Sequence, residues 1–216
     1  YFLIPLFAFA VTFARPGLFT LNPLYEAAYV VVIFLSVNMV VQTFNNIFDA
    51  SLKGIEKVDI DEKARFKQYI KSNLFFLPTL TTIQRVTYIV TLGIVLFLSL
   101  GKSDLDLVIN WSIVAALSPI PFMLYRLTMI RKNFKLSINY FAVLKYSVTA
   151  IIIFTITYIL MDEYLIYKEE IILFLPQVLL YVAFSVGGYL GITFLVDARV
   201  RELVKGVLRE LKSLQR

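Results

Sequence analysis

The sequence contains no cysteine and no histidine. Without cysteine, the chain has neither a disulfide framework nor a thiolate ligand. Without histidine, it lacks the commonest metal ligand and the commonest general base at neutral pH. Zinc hydrolase chemistry and a Ser-His-Asp triad are therefore excluded within this chain, and we expect no metal and no cofactor.

Nucleotide-binding motifs are also missing, since the chain has no P-loop, no Gly-rich dinucleotide turn and no HExxH sequence. The acids Asp59, Asp61 and Glu62 lie in a mixed-charge segment that is typical of a solvated surface. We therefore expect neither an enzyme nor a nucleic-acid-binding protein.

What the chain has in excess is apolar surface. Of its 216 residues, 59% are hydrophobic and only 17% are charged, below the roughly 25% of an average soluble domain. The mean hydropathy is +0.79. A small soluble domain leaves too much of its chain exposed to hide this much apolar surface. The solvent of this protein is therefore lipid.

The apolar residues form six runs near the length of about 20 residues that a helix needs to cross a bilayer. β-branched residues are abundant, but strands of a membrane barrel alternate apolar and polar residues, and the run Ile151-Ile152-Ile153-Phe154 does not. Pro119 and Pro121 predict a kink or break in the fourth run, and residues 15–23 predict a loop. The sequence thus predicts an all-α bundle of six transmembrane helices, at residues 1–14, 25–48, 73–100, 107–130, 138–161 and 171–196.

The basic residues are distributed unevenly between the two sides of such a bundle. Sixteen of the 21 Lys and Arg residues fall in segments 53–71, 126–135 and 199–216, whereas the opposite loops hold only Arg15, Lys102 and Lys168. Because cytoplasmic loops carry the excess of Lys and Arg, we expect a cell membrane protein with both ends of this segment in the cytoplasm.

Two further features concern the ends of the chain. Apolar residues recur at helical spacing after residue 198, with Arg, Lys and Glu between them. We predict a six-helix transmembrane lobe at 1–197 and an interfacial amphipathic helix at 198–216; the alternative is a helix that packs on its own bundle. The chain begins at Tyr1 within an apolar run, so we expect it to be part of a longer protein.

Two cations fall inside predicted membrane helices. Arg85 is about 18 Å into the third helix, near the bilayer centre, and Lys145 lies closer to the cytoplasmic end of the fifth. An intramembrane cation that faces lipid costs at least about 2.5–3.5 kcal/mol, and we find no Asp or Glu at matching depth. We therefore expect an anionic ligand, with snorkelling of Lys145 to the surface and a counter-charge from a missing partner helix as the alternatives.

Polar side chains form bands on the second and third helices. Asn38, Gln42, Asn45 and Asn46 follow helical spacing, as do Thr81, Gln84, Arg85, Tyr88 and Thr91. The alternative to a lined cavity is interhelical hydrogen bonding, worth about 0.6 kcal/mol per bond. The predicted substrate-binding residues are Arg85, Lys145, Asn38, Gln42, Asn45 and Gln84.

Four segments carry a resemblance to a known family. They are residues 23–28 (PLYEAA), 51–59 (SLKGIEKVD), the charged stretch from 57 to 72, and 197–203 (DARVREL). In their order around the apolar runs they resemble the C-terminal half of polysaccharide flippases of the multidrug/oligosaccharidyl-lipid/polysaccharide exporter superfamily. The stretch 57–72 is similar to archaeal members.

The resemblance implies two six-helix lobes that rock around a cationic cavity and flip a lipid-linked oligosaccharide by its phosphate or pyrophosphate. The implied partners are membrane lipid, a glycolipid with an anionic head group and a second six-helix lobe, because one lobe cannot enclose the cavity. The leading hypothesis is therefore a transporter, without covalent chemistry. The alternative is a non-transporting anchor or scaffold subunit of a larger complex. A third possibility is a drug or ion exporter of the same superfamily, which an intramembrane Asp or Glu would favour, and we identify none in the sequence.

Overall fold

The structure, a computed structural model, describes residues 2–55, 70, 72–134, 139–168, 170–202 and 206. Every regular element in this described part of the chain is helical. A 3₁₀-helix, Pro23–Ala28, precedes the third α-helix. The α-helices are α1 (Leu3–Thr12), α2 (Ala14–Leu21), α3 (Tyr29–Gly54), α4 (Asn73–Leu98), α5 (Asp104–Leu117), α6 (Ile120–Asn133), α7 (Tyr140–Tyr164) and α8 (Ile171–Val196).

Five helical segments are long and apolar enough to cross a membrane: Pro23–Gly54, Asn73–Leu98, Asp104–Asn133, Tyr140–Tyr164 and Ile171–Val196. A sixth span is present if α1 and α2, which are bent by 60° at their junction, cross as one broken segment. The predicted all-α membrane bundle is thus confirmed, and the chain is a multi-pass membrane protein. The chain has a sixth crossing only if the bent pair of α1 and α2 spans the membrane.

The first predicted loop is wrong in part. Arg15, Pro16 and Gly17 lie inside α2 rather than in a turn. Proline is tolerated there because the first turn of a helix needs no donor from it. Buried Phe13 and Phe19 flank this segment, so apolar packing outweighs the turn preference of Pro and Gly.

The predicted end of the second span at Phe48 is also wrong, because α3 continues to Gly54. Leu52 lies in the added turn and is fully buried against Leu77 and Ile130. Burying this side chain favours continuation of the helix. As a result, Asp49 is a helical residue rather than the first residue of a loop.

The predicted break in the fourth span is confirmed. α5 ends at Leu117 and α6 begins at Ile120, with Pro119 at the junction and Pro121 in the first turn of α6. Together the two helices form one candidate span of 30 residues.

The chain divides into two compact units, and the first consists of Tyr1–Glu26 and Asn139–Arg216. Within it, α1 packs on α7, α7 on α8, and α2 on α8. Its core is apolar and rich in aromatic rings, with Phe19 in edge contact with both Tyr167 and Phe174. Residues 198–202 begin the predicted tail helix and are helical. The remainder of the predicted helix 198–216, except Gly206, lies outside the described residues.

The second unit is Ala27–Ile138. Here α3 is central and packs against α4, α5 and α6. Its apolar cluster of buried residues is small, comprising Leu52, Leu77 and Ile130. Several of its other buried side chains are polar, and Arg126 is among them. The interior of this unit is therefore where a polar site can form.

Candidate functional site

A polar cavity of about 320 Å³ lies in the second unit, between faces of α3, α4 and α6. It is formed where the amide-bearing face of α3 meets the polar face of α4. Its size is at the lower end of the range of small-ligand pockets, about 300–1,000 Å³. The lining residues are Gln42, Asn45, Asn46, Asp49, Thr81, Gln84, Arg85 and Arg126.

Arg126 forms the buried wall of this cavity, with only 1% of its surface exposed. Its Nε donates to Asp49 Oδ1 at 2.7 Å and its Nη2 donates to Thr81 Oγ1 at 2.9 Å. Its Nη1 donates to Gln84 Oε1 at 3.0 Å and, more weakly, to Asn45 Oδ1 at 3.4 Å. One guanidinium thus joins three helices, and its charge is compensated by Asp49.

This pair was not predicted from the sequence. The predictions that Arg126 is a loop cation and that Asp49 begins a loop are both wrong, because both residues lie inside helices. A signal was present: Asp49 follows Gln42 and Asn45 by seven and four residues, so it extends the same helical face. Arg126 lies within the predicted span 107–130. Without Arg126, the count of basic residues on the proposed cytoplasmic side becomes fifteen against three.

Arg85 lines the same cavity but is exposed. Among the described residues, no carboxylate forms an ion pair with its guanidinium and no side chain accepts a hydrogen bond from it. It lies about 18 Å along α4 from Asn73. The cavity therefore has an accessible positive charge at membrane depth, in addition to the compensated charge of Arg126.

Asn45 supplies a second feature that points to a ligand. The residue is 3% exposed, and its Oδ1 accepts from Arg126, which orients the amide. Its Nδ2 has no hydrogen-bond partner among the described residues. A buried donor without an acceptor costs about 1–3 kcal/mol. Asn45 therefore has an unsatisfied donor beside the cavity that it lines.

The other predicted amides divide into two groups. Gln42 and Gln84 line the cavity, and the Gln84 oxygen is used by Arg126. Asn38 is not a lining residue; it accepts a long hydrogen bond of 3.5 Å from Gln42 Nε2 and so orients that side chain.

Tyr88, in the polar band of α4, accepts a hydrogen bond from Trp111 Nε1 of α5 at 2.7 Å. This contact is interhelical, as the alternative to a lined cavity predicted for these polar side chains.

Lys145 belongs to the first unit and does not line this cavity. Its Nζ donates to the Val196 carbonyl at 2.8 Å and lies 3.6 Å from Asp197 Oδ2. The expectation that no acid could pair with Lys145 is therefore wrong. Asp197 follows α8 in sequence, and a chain reversal brings it back to the start of α7.

The carboxyl of Asp197 has a pKa below its ordinary range. The hydroxyl of Tyr146 donates to it at 2.6 Å, the backbone N–H of Arg199 donates to its other oxygen, and the Lys145 charge is close by. Each of these contacts favours the carboxylate form. In the first unit, an ion pair between Lys145 and Asp197 thus joins the start of α7 to the residue that follows α8.

The described residues contain no cluster of three or more acidic, cysteine or histidine side chains that could hold a metal ion. The groups that line the cavity are suited instead to oxyanions and hydroxyls, because amide and guanidinium donors bind phosphate and sugar oxygens.

No protein-family profile, curated protein or solved structure matches this chain.

Proposed function

We propose that this chain is part of a membrane transporter that flips a lipid-linked oligosaccharide, and that the cavity of the second unit binds the anionic head group of this lipid. The observation that carries the proposal is the exposed Arg85 at the cavity, with which no carboxylate of the described residues forms an ion pair. A cation at membrane depth is costly unless it faces water, protein or an anion. An anionic substrate would compensate it only while bound.

The rest of the lining supports the same class of ligand. Asn45 offers a buried donor, and Gln42 and Asn46 add amides that can contact sugar hydroxyls or ester oxygens. Arg126 holds Asn45, Thr81 and Gln84 in place, so these contacts are preorganised before the ligand arrives. A neutral apolar substrate would leave these polar groups without partners.

The proposed mechanism is alternating access without covalent chemistry. A second six-helix lobe, from the same protein or another chain, encloses the cavity, and rocking of the two lobes exposes it to either side of the membrane in turn. In this mechanism, the described chain belongs to the polysaccharide flippases that it resembles. Its partners are membrane lipid, the glycolipid and the second lobe.

A vesicle transport assay tests the role of Arg85. The full protein is reconstituted, and the initial rate of flipping is measured with a fluorescent lipid-linked oligosaccharide. A charged hydrogen bond is worth about 1.5–3 kcal/mol, so Arg85→Ala is expected to lower transport about 10- to 100-fold. Arg85→Lys is expected to keep part of the transport rate, because lysine retains the positive charge but lacks the paired N–H donors of the guanidinium.

Lys102→Ala is the matched control, because it removes an exposed cation in the turn between α4 and α5, away from the cavity. It should transport at the wild-type rate. Unchanged transport by Arg85→Ala would refute the role of Arg85. Absence of glycolipid transport by the wild-type protein would favour the alternative, a membrane anchor or scaffold subunit.

A further inference from the structure

Three of the described residues that line the cavity carry formal charge: Arg85, Arg126 and Asp49. Arg126 and Asp49 form an ion pair at 2.7 Å and cancel. The described lining therefore has one net positive charge, and Arg85 holds it. Its remaining side chains are amides and a hydroxyl, which are neutral.

Arg126 is also occupied as a hydrogen-bond donor. A guanidinium has five N–H donors, and four of those of Arg126 are directed at Asp49, Gln84, Asn45 and Thr81. It cannot offer a parallel pair of donors to an incoming phosphate. Two arginines line the cavity among the described residues. Of these, Arg85 is the one whose guanidinium can make a bidentate contact with a phosphate.

We infer that the cavity selects a head group with one negative charge, a phosphodiester, over a pyrophosphate with two. This inference rests on the proposed function and names the substrate class of the same site. One phosphate group matches the single available guanidinium fork. A second anionic phosphate would find no further free cation among the described residues that line the cavity. Its loss of hydration would be uncompensated on this face, and an unpaired charge discriminates against the wrong ligand.

The neutral amides fit the remainder of a phosphodiester-linked sugar. The free Nδ2 of Asn45 can donate to an ester or hydroxyl oxygen, and Asn46 is exposed at the cavity. Amides both donate and accept, as sugar hydroxyls do. They do not neutralise charge, so they add no preference for a second phosphate.

The test compares two lipids with the same short isoprenoid chain and the same glycan, joined by a phosphodiester in one and by a pyrophosphate in the other. Their binding to the purified full protein is measured by competition against a fluorescent analogue. The wild-type protein should prefer the phosphodiester by about tenfold or more. Arg85→Gln should weaken the binding of both.

Asn46→Lys adds a positive charge to the cavity and leaves the Arg126–Asp49 pair intact. It should abolish or reverse the preference for the phosphodiester, whereas the neutral Asn46→Gln control should keep it. Gln42→Lys places the same charge on the neighbouring turn of α3 and provides a second test if Asn46→Lys does not fold.

The outcomes separate this inference from the proposed function. Tighter or equal binding of the pyrophosphate lipid, still dependent on Arg85, overturns the inference and leaves the function standing. Binding of neither lipid in an Arg85-dependent manner overturns the proposed function. A glycosyl phosphate without its lipid chain could bind as tightly as the phosphodiester lipid. This result would support the preference for one negative charge and would make a soluble phosphate ester, rather than the lipid, the ligand.

Discussion

Two ion pairs in this protein differ in burial and therefore in energetic weight. The Arg126 side chain is 1% exposed and pairs with Asp49. The Arg15 side chain is 52% exposed and pairs with Glu26. Exposed pairs contribute about 0–1 kcal/mol because water and salt screen them. A buried charge that loses its partner is far more costly, since its desolvation is no longer compensated.

Asp49→Ala should therefore destabilise the protein by about 3–5 kcal/mol, because it leaves the buried charge of Arg126 with only neutral partners. Glu26→Ala should change the free energy of unfolding by about 0–1 kcal/mol. Both values can be measured by denaturation of the detergent-solubilised protein. Equal losses in the two variants would contradict the structural role assigned to the Arg126 network.

At the scale of elements, the junction between α7, α8 and the tail depends on one carboxylate. Asp197 accepts hydrogen bonds from Tyr146 and from the backbone N–H of Arg199, and it lies near Lys145. Because the pKa of Asp197 is lower in the folded state than in the unfolded chain, its contribution to stability is present above the ordinary Asp range. It is lost as the pH falls through the folded-state pKa.

Asp197→Asn should accordingly lower the thermal midpoint at neutral pH, and the difference from wild type should shrink as the pH falls below about 4. Thermal unfolding in detergent between pH 3 and pH 7 measures this. Tyr146→Phe, which removes the largest cause of the pKa shift, should show a smaller effect with the same pH dependence. A difference that is constant with pH would contradict this account.

At the scale of the whole molecule, the number of crossings depends on α1 and α2. If the bent pair crosses the membrane as one span, six crossings place both ends of the segment on one side. If it enters and leaves from the same side, five crossings remain, and the first residues face the opposite side from the tail. The distribution of Lys and Arg predicts six.

Because the chain has no cysteine, single cysteines can report this topology. In intact cells, an impermeant maleimide should label Leu21→Cys and Lys102→Cys, whereas Phe2→Cys and Lys132→Cys should react only after permeabilisation. All four positions are exposed. Labelling of Phe2→Cys in intact cells together with Leu21→Cys would instead show a re-entrant pair, and labelling of Lys132→Cys would refute the predicted orientation.

The sequence by itself determined the class of the protein. Its apolar runs have the length of a bilayer and leave only helices as a solution, because the backbone must satisfy its own hydrogen bonds in lipid. The span Ile171–Val196 was predicted to the residue. The amides of α3 and the polar band of α4 were also visible, because a helical period places them on one face.

Only the tertiary structure decided which charges are compensated. Arg126 and Asp49 are 77 residues apart in sequence, and Lys145, near the start of α7, pairs with Asp197, which directly follows the end of α8. Helical periodicity assigns a residue to a face but not to a partner on another helix. Packing of α3, α4 and α6 pairs Arg126 with Asp49 and leaves Arg85 exposed at the cavity, a difference that helical periodicity does not reveal.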